Sequence, residues 1–263
     1  MIQLAYHPNS YLRHDIPVDD AIEHIAEVGW DGFEWSSTSL RDHFGGGDAC
    51  CECLEELGIA ISGIYHPSRF ESEEEIADWT KRAAETIEFA RAVGTDVLML
   101  DGGSTDLPIC AESIDRVAEA AGHVARMACE AGMICTWHQH WNTLFQYPDE
   151  FHALMDATDP NQLKCTLDTA HLTLGGFDVP ATFTRYADRL EYVHLKDLAE
   201  DRRFADLGRG TVNLEEPAQI LKQTGFSGWI VNDLDYTDND PFEVSKHNLE
   251  FLYDILGEDN RGT

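Results

Sequence analysis

Lysine is almost missing from this chain: five residues (Lys81, Lys164, Lys196, Lys222 and Lys246) stand against 49 aspartates and glutamates in 263 positions. The formal charge of −31 argues against a nucleic-acid partner, because phosphate binding is driven by clustered lysine and arginine. The acids run along the whole chain rather than gathering in a tail, and at ordinary ionic strength such a surface repels itself until salt screens it. This reads as a protein adapted to a salt-rich cytoplasm, with an acidic partner-binding face as the other explanation. Also absent is any run of ~18 to 20 apolar residues that could span a bilayer. The opening "MIQLAYHPNS" lacks the basic-then-apolar layout of a signal peptide, so a cytoplasmic protein is expected. Cysteine forms no scaffold: there are seven, an odd number. "CCEC" (Cys50, Cys51, Cys53) has no second Cys or His pair at zinc-finger spacing and reads as small apolar residues on a helix.

What is present is a repeated phrase of amphipathic segment, glycine and short apolar run. It passes through Gly29, Gly58, Gly94, Gly132 and Gly225, each able to take the left-handed conformation that ends a helix before a strand. Ile114, Val117, Ala121, Val124 and Ala128 recur at steps of three and four, which places them on one helical face. The runs "IQLAY", "GFEW", "AISGIY", "VLMLD", "MICTWH", "LKCTLD", "YVHLK" and "WIVND" are rich in β-formers, and several lack the polar alternation of a one-sided sheet, as strands buried on both faces do. Eight strand-then-helix units in about 250 residues predict a (β/α)8 TIM barrel. Nothing marks a second domain, so residues 1–263 are read as one.

Active sites of such barrels form at the C-terminal ends of the strands, and each predicted strand here delivers a polar side chain there. In order these are Tyr6 and His7; Glu34; His66; Asp101; His138, His140 and Gln146; Asp168 and His171; His194, Lys196 and Asp197; Asp233 and Asp235. Taken singly, each histidine is equally compatible with a hydrogen-bonded loop residue. Taken together, carboxylates, imidazoles and an amide without thiolates make a ligand set for a divalent cation such as Mn²⁺, Co²⁺, Zn²⁺ or Mg²⁺. Trp35 and Trp141 offer apolar walls for a sugar's C–H face, whereas Trp137, adjacent to His138 on one strand, is expected to point into the outer shell.

"TLDTAHLTLGG", "EYVHLKD" and "DLGRGTVNLEEPAQIL", ahead of "GFSGWIVNDLD", resemble the xylose-isomerase-like TIM barrels, the sugar phosphate isomerase/epimerase superfamily. "VHLKD" and "HQHWNT" bring the chain nearest the inosose dehydratase branch. The resemblance implies one divalent metal held by Gln146, Asp168, His194 and Asp233, where the family has Glu, Asp, His and Glu. It also implies substrate contact by His171 and, more loosely, Arg203; His66 and His138 on the same rim join them as substrate-binding candidates. Endonuclease IV shares the fold, but a richer zinc set and a DNA-binding surface are not evident here.

The implied reaction removes a proton beside a carbonyl whose oxygen the metal polarises, through an enediolate. Glutamine cannot accept a proton, so two-carboxylate epimerisation is disfavoured at Gln146. Isomerisation or dehydration of a small polyhydroxylated substrate remains open, with Asp233 as base and His138, His140, His171 or Lys196 carrying the second proton. The expected activity is a metal-dependent isomerase or epimerase type, the alternatives being an inosose dehydratase-like lyase and a barrel that retains binding without catalysis. A homo-oligomer is compatible with this resemblance.

The charge excess has a direct thermal consequence. Raising KCl from about 0.1 M to about 1 M contracts the screening length from ~10 Å to ~3 Å, and the melting temperature should rise by several degrees. A flat or falling profile by scanning calorimetry would remove self-repulsion as a determinant of stability.

Overall fold

The computed structural model describes residues 1–68, 70, 72–103 and 108–257. Eight parallel strands close on themselves: β1 (Gln3–Tyr6), β2 (Gly32–Ser36), β3 (Ala60–Tyr65), β4 (Val97–Asp101), β5 (Ile134–His138), β6 (Leu163–Asp168), β7 (Leu190–His194) and β10 (Trp229–Asn232). Between the last two, β8 (Asp197–Leu198) and β9 (Phe204–Ala205) form a small antiparallel hairpin that the sequence reading did not anticipate. The expected TIM barrel is therefore present as one domain, with its strands within about two residues of the predicted runs.

The five glycines expected to end helices all do so, with φ of 101° at Gly29, 67° at Gly58, 82° at Gly94, 79° at Gly132 and 72° at Gly225. A side chain at these left-handed positions would be strained, so each marks the break between helix and following strand. The helix Ala111–Glu130 buries Val117, Ala121, Val124 and Ala128 on its inner face, as their spacing required. "CCEC" lies inside the helix Gly47–Leu57 with Cys50 buried, and all seven cysteines are free. Among the described residues no helix is long and apolar enough to cross a membrane.

Alternation along the strands decides what faces the barrel axis. Successive side chains point to opposite faces, so residues two apart share one. Ala5, Val97, Met99, Tyr192, Trp229 and Val231 pack together as the barrel's inner apolar layer. One step further along the same strands, the inward series continues as Asp101 after Met99, His194 after Tyr192 and Asp233 after Val231. A polar layer thus sits directly on an apolar plug.

The same alternation sends two predicted site residues elsewhere. His66 follows inward-facing Tyr65 and turns outward, its Nδ1 3.0 Å from the Thr86 hydroxyl and its Nε2 3.0 Å from the Trp79 carbonyl, so both nitrogens are engaged by the helix Glu73–Ala92. It does not contact substrate space inside the barrel. Trp35, next to inward Glu34, belongs to the outer core and lies 6.2 Å from the His43 ring rather than walling the mouth. Trp137 packs outward against Phe70 and Phe145, as its adjacency to His138 required.

His66 carries a pH signature. Burial, partly opposed by the Trp79 carbonyl, pushes its imidazole down to about 4. Its folded value lies below the unfolded value of about 6.5, so the stability associated with the neutral ring is full above pH ~6.5 and is lost as pH falls toward 4, on the order of 3 kcal/mol in total. His66→Gln should therefore flatten the decline in unfolding free energy between pH 6.5 and 4, measured by urea titration at each pH. An unchanged slope would assign the acid sensitivity to other groups.

Candidate active site

Three strands each bring one buried side chain to the axis, and local bonds decide which of its atoms is left over. Asp168 ends β6 and caps the helix Thr169–Gly175, its Oδ1 accepting the His171 backbone N–H at 2.8 Å. Its Oδ2 is left without a partner. His138 ends β5 with Nδ1 3.0 Å from the Tyr65 hydroxyl, and its Nε2 is left over. His194 ends β7 with Nε2 2.9 Å from Glu34 Oε2, and its Nδ1 is left over. All three residues are fully buried, and one donor atom from each lies within 4.8 Å of the others.

Asp233, just past β10, joins this group. Its Oδ2 stands 3.6 Å from His194 Nδ1, and Asp168 Oδ2 is 3.7 Å from the same nitrogen. These separations are too long for hydrogen bonds. They match another geometry: donors about 2.1 Å from one tetrahedral ion stand about 3.4 Å apart. Asp168 also groups with His171 and Asp233 by the same criterion of mutual reach. Buried donors that lack partners and share a centre fit a divalent cation with nitrogen and oxygen ligands.

The local field favours positive charge. Burial alone would depress the His194 imidazole, but Glu34, Asp168 and Asp233 outweigh it and lift the ring to about 10. Lys196 is fully buried, and burial again opposes its charge. Asp233 at 2.9 Å, Asp235 at 2.8 Å and the more distant Asp168 overcome that, holding the ammonium well above its ordinary range. Burial would raise the Asp233 carboxyl, yet Lys196, His7 and His194 hold it far below the usual carboxylate range. His138 and His171 move the other way, pushed well down by burial and by the basic groups around them, and so remain neutral.

A second tier completes the mouth. Lys196 Nζ lies 3.4 Å from His171 Nε2 and 4.2 Å above the Phe204 ring, so the hairpin strand β9 roofs the ammonium. The His140 ring is 3.8 Å from that of His171 and 5.4 Å from that of His138. Its Nδ1 is 2.6 Å from the Trp141 carbonyl, and the ring is only half-buried. Beyond Phe204 a cleft of about 430 Å³ is lined by Arg202, Arg203, Arg209, Tyr236 and Asp238 among others. Arg203 is exposed and paired with Asp201 and Asp238, so it borders this cleft rather than the donor cluster. Trp141 is half-buried at the rim, 6.0 Å from the Arg202 guanidinium.

Gln146 is put to another use. Its Oε1 accepts the backbone N–H of Asn142 at 3.1 Å, closing a loop in which Asn142 and Phe145 have φ of 64° and 63°. Its backbone carbonyl accepts the Gln139 side-chain amide at 3.0 Å. His138, eight residues earlier, is the side chain from this segment whose donor atom meets those of Asp168 and His194. Glu34 was visible as a strand-end acid but carried no assigned role; its partner lies 160 residues away, and no spacing rule connects them. Asp235, which pairs with Lys196, was likewise seen at the strand end and not placed in the site.

A family profile described as "Xylose isomerase-like TIM barrel" matches residues 22–255. Among curated proteins, inosose dehydratase of Bacillus cereus (strain AH820) is 22% identical over 296 aligned positions, covering 97% of this chain and 98% of that protein. Among solved structures, a probable 3-DHS dehydratase, AsbF, from Bacillus anthracis superposes with a TM-score of 0.80 at 15% identity, covering 95% of this chain and 98% of that one. The IOLI protein, solved with a bound zinc atom, superposes with a TM-score of 0.79 at 15% identity over 97% and 98% of the two chains. The profile match spans nearly the whole barrel, and the chain belongs to the xylose isomerase-like TIM barrel family.

Proposed function

We propose that this protein is a divalent-metal-dependent enzyme that removes a proton beside the carbonyl of a small polyhydroxylated substrate, a sugar or cyclitol, and that loss of a neighbouring hydroxyl completes the reaction. The observation that carries this reading is the meeting of three buried, unpartnered donor atoms, His138 Nε2, Asp168 Oδ2 and His194 Nδ1, on the barrel axis. With Asp233 they would hold the cation, His138 standing in place of Gln146. Two imidazoles and two carboxylates favour Zn²⁺, Co²⁺ or Mn²⁺ over Mg²⁺, which is better served by oxygen alone. The zinc in IOLI and the dehydratases among the relatives support the same reading.

When bound, the cation supplies Lewis acidity that polarises the substrate carbonyl and stabilises an enediolate. The side chains divide the proton work. Asp233, the base expected from the sequence, is held ionised and strongly paired by Lys196, which makes it a weak proton acceptor. His140 is better placed: with its Nδ1–H donated to the Trp141 carbonyl, Nε2 keeps a lone pair on a half-buried ring facing His171. His140 is therefore the base. Lys196, held cationic by three carboxylates and covered by Phe204, is for the same reason a weak proton donor and would act by its fixed positive charge, while His140, once protonated, returns its proton to the departing hydroxyl, which leaves as water.

Isomerisation is the second reading. It is favoured by the 3.4 Å between Lys196 Nζ and His171 Nε2, a contact through which a proton could be returned to carbon instead of to a leaving group. Incubation with Mn²⁺, Co²⁺ or Zn²⁺ and a panel of ketoses and inososes in deuterium oxide separates the two. An unsaturated or deoxy product supports dehydration, and deuterated substrate or isomer without water loss supports isomerisation. His140→Gln should lower kcat by roughly 10²- to 10⁴-fold under either.

Metal content tests the centre itself. Protein purified without chelator should carry close to one divalent transition-metal ion per chain by mass spectrometry, and the apo form should gain about 2.7 kcal/mol of stability at a metal concentration 100-fold above Kd. His138→Ala should remove that gain, while Gln146→Ala should keep it. If neither stoichiometric metal nor metal-dependent stabilisation is found, the barrel is one that has lost this catalysis.

A further inference from the structure

Glu34 is a carboxylate buried to complete exclusion from solvent, with no lysine or arginine beside it among the described residues. Its Oε2 lies 2.9 Å from His194 Nε2, and Oε1 has no hydrogen-bond partner. A carboxylate in such a place is expensive to bury even when an imidazole pairs with one of its oxygens, so a structural role that an apolar residue could fill does not account for it. The backbone is built around this contact. Pairing between β2 and β3 runs Phe33 with Ile61 and then Glu34 with Gly63, so Ser62 is the extra residue of a bulge placed at Glu34. Bulges re-aim a side chain beside functional sites.

The surroundings keep that bulge in shape. Ser62 Oγ donates to the Phe33 carbonyl at 3.2 Å and lies 2.7 Å from the Tyr192 hydroxyl, which ties β2 and β3 to β7 two residues before His194. Gly63, opposite Glu34, is closely packed: a Cβ there would stand 3.2 Å from Met99 Cε and from the Tyr192 ring. Two strands on opposite sides of the barrel are thereby locked at the level where the carboxylate meets the imidazole.

We propose that Glu34 is the positioning residue of the metal centre: it accepts the Nε2 proton of His194, fixes the ring's orientation, and so leaves Nδ1 as the nitrogen that faces the cation. This rests on the metal-dependent reading above. The two neighbouring carboxylates explain why such a device is needed. Asp233 Oδ2 and Asp168 Oδ2, 3.6 and 3.7 Å from Nδ1, would otherwise attract the ring's N–H to that side and cover the lone pair that ligation requires. Glu34 holds the proton on the far side of the ring.

Zinc affinity of the full chain, measured by competition with a chromophoric chelator, is the first readout. Glu34→Leu should weaken it about 10- to 100-fold, and Glu34→Gln, which keeps a carbonyl acceptor for the Nε2 proton, should lose less. The second readout is the nitrogen-15 spectrum of zinc-loaded protein with labelled histidine, with His194 assigned by loss of its signal in His194→Asn. In the wild type Nε2 should carry the proton and Nδ1 should show the shift of a ligated nitrogen, and in Glu34→Leu this pattern should be lost. A wild-type spectrum with the proton on Nδ1 overturns the proposal without recourse to any variant. Zinc affinity in folded Glu34→Leu within twofold of the wild type overturns it as well. Failure of the wild type to bind zinc would instead overturn the metal centre, and is told apart because it is seen before any substitution is made.

Discussion

Three carboxylates with little or no solvent, Glu34, Asp168 and Asp233, are gathered within one side chain's reach at the top of a closed barrel, and their mutual repulsion has to be met by positive charge. Lys196 and His194 meet part of it, which is why both are held in their charged forms against the effect of burial. A divalent cation among the same donors would meet more of it.

The barrel makes that concentration of charge possible. Apolar residues fill its axis up to Met99, Tyr192 and Val231, and the polar layer begins one pleat later. Because the strands are hydrogen-bonded into a closed ring, no donor can move away along the sheet to relieve repulsion. Local bonds then sort the atoms. The cap to His171 occupies one oxygen of Asp168, Tyr65 occupies one nitrogen of His138, and Glu34 occupies one nitrogen of His194. What remains unoccupied faces the axis.

Charge on the outside and charge on the axis obey different rules. The surface acids that produce the net −31 are screened by salt and act collectively on stability. The buried acids are screened far less, and their partners are particular side chains. The basic groups are few, so their placement matters: Lys196 lies at the centre, while Arg202, Arg203 and Arg209 collect at the cleft beside the hairpin of β8 and β9.

Much of this was legible along the chain. The glycines that end helices, the apolar runs between them and the rim position of Asp168, His194, Lys196 and Asp233 follow from local conformation and from strand alternation, both of which are properties of neighbours in sequence. The resemblance carried the same family that the profile match shows. Other residues were out of reach. His66 and Trp35 lie at strand ends like the donors do, and only the phase of β2 and β3, shifted by one bulge residue, turns them outward. Gln146 lies in the loop beyond β5, and only the loop's own hydrogen bonds show that its Oε1 is engaged by Asn142. Glu34 meets His194 across 160 residues because ring closure brings β2 opposite β7. Sequence by itself determined which segments would be strands and which side chains could carry chemistry. Tertiary structure alone decided which of those side chains share a centre, because convergence depends on strand phase and barrel closure, and neither is written in local spacing.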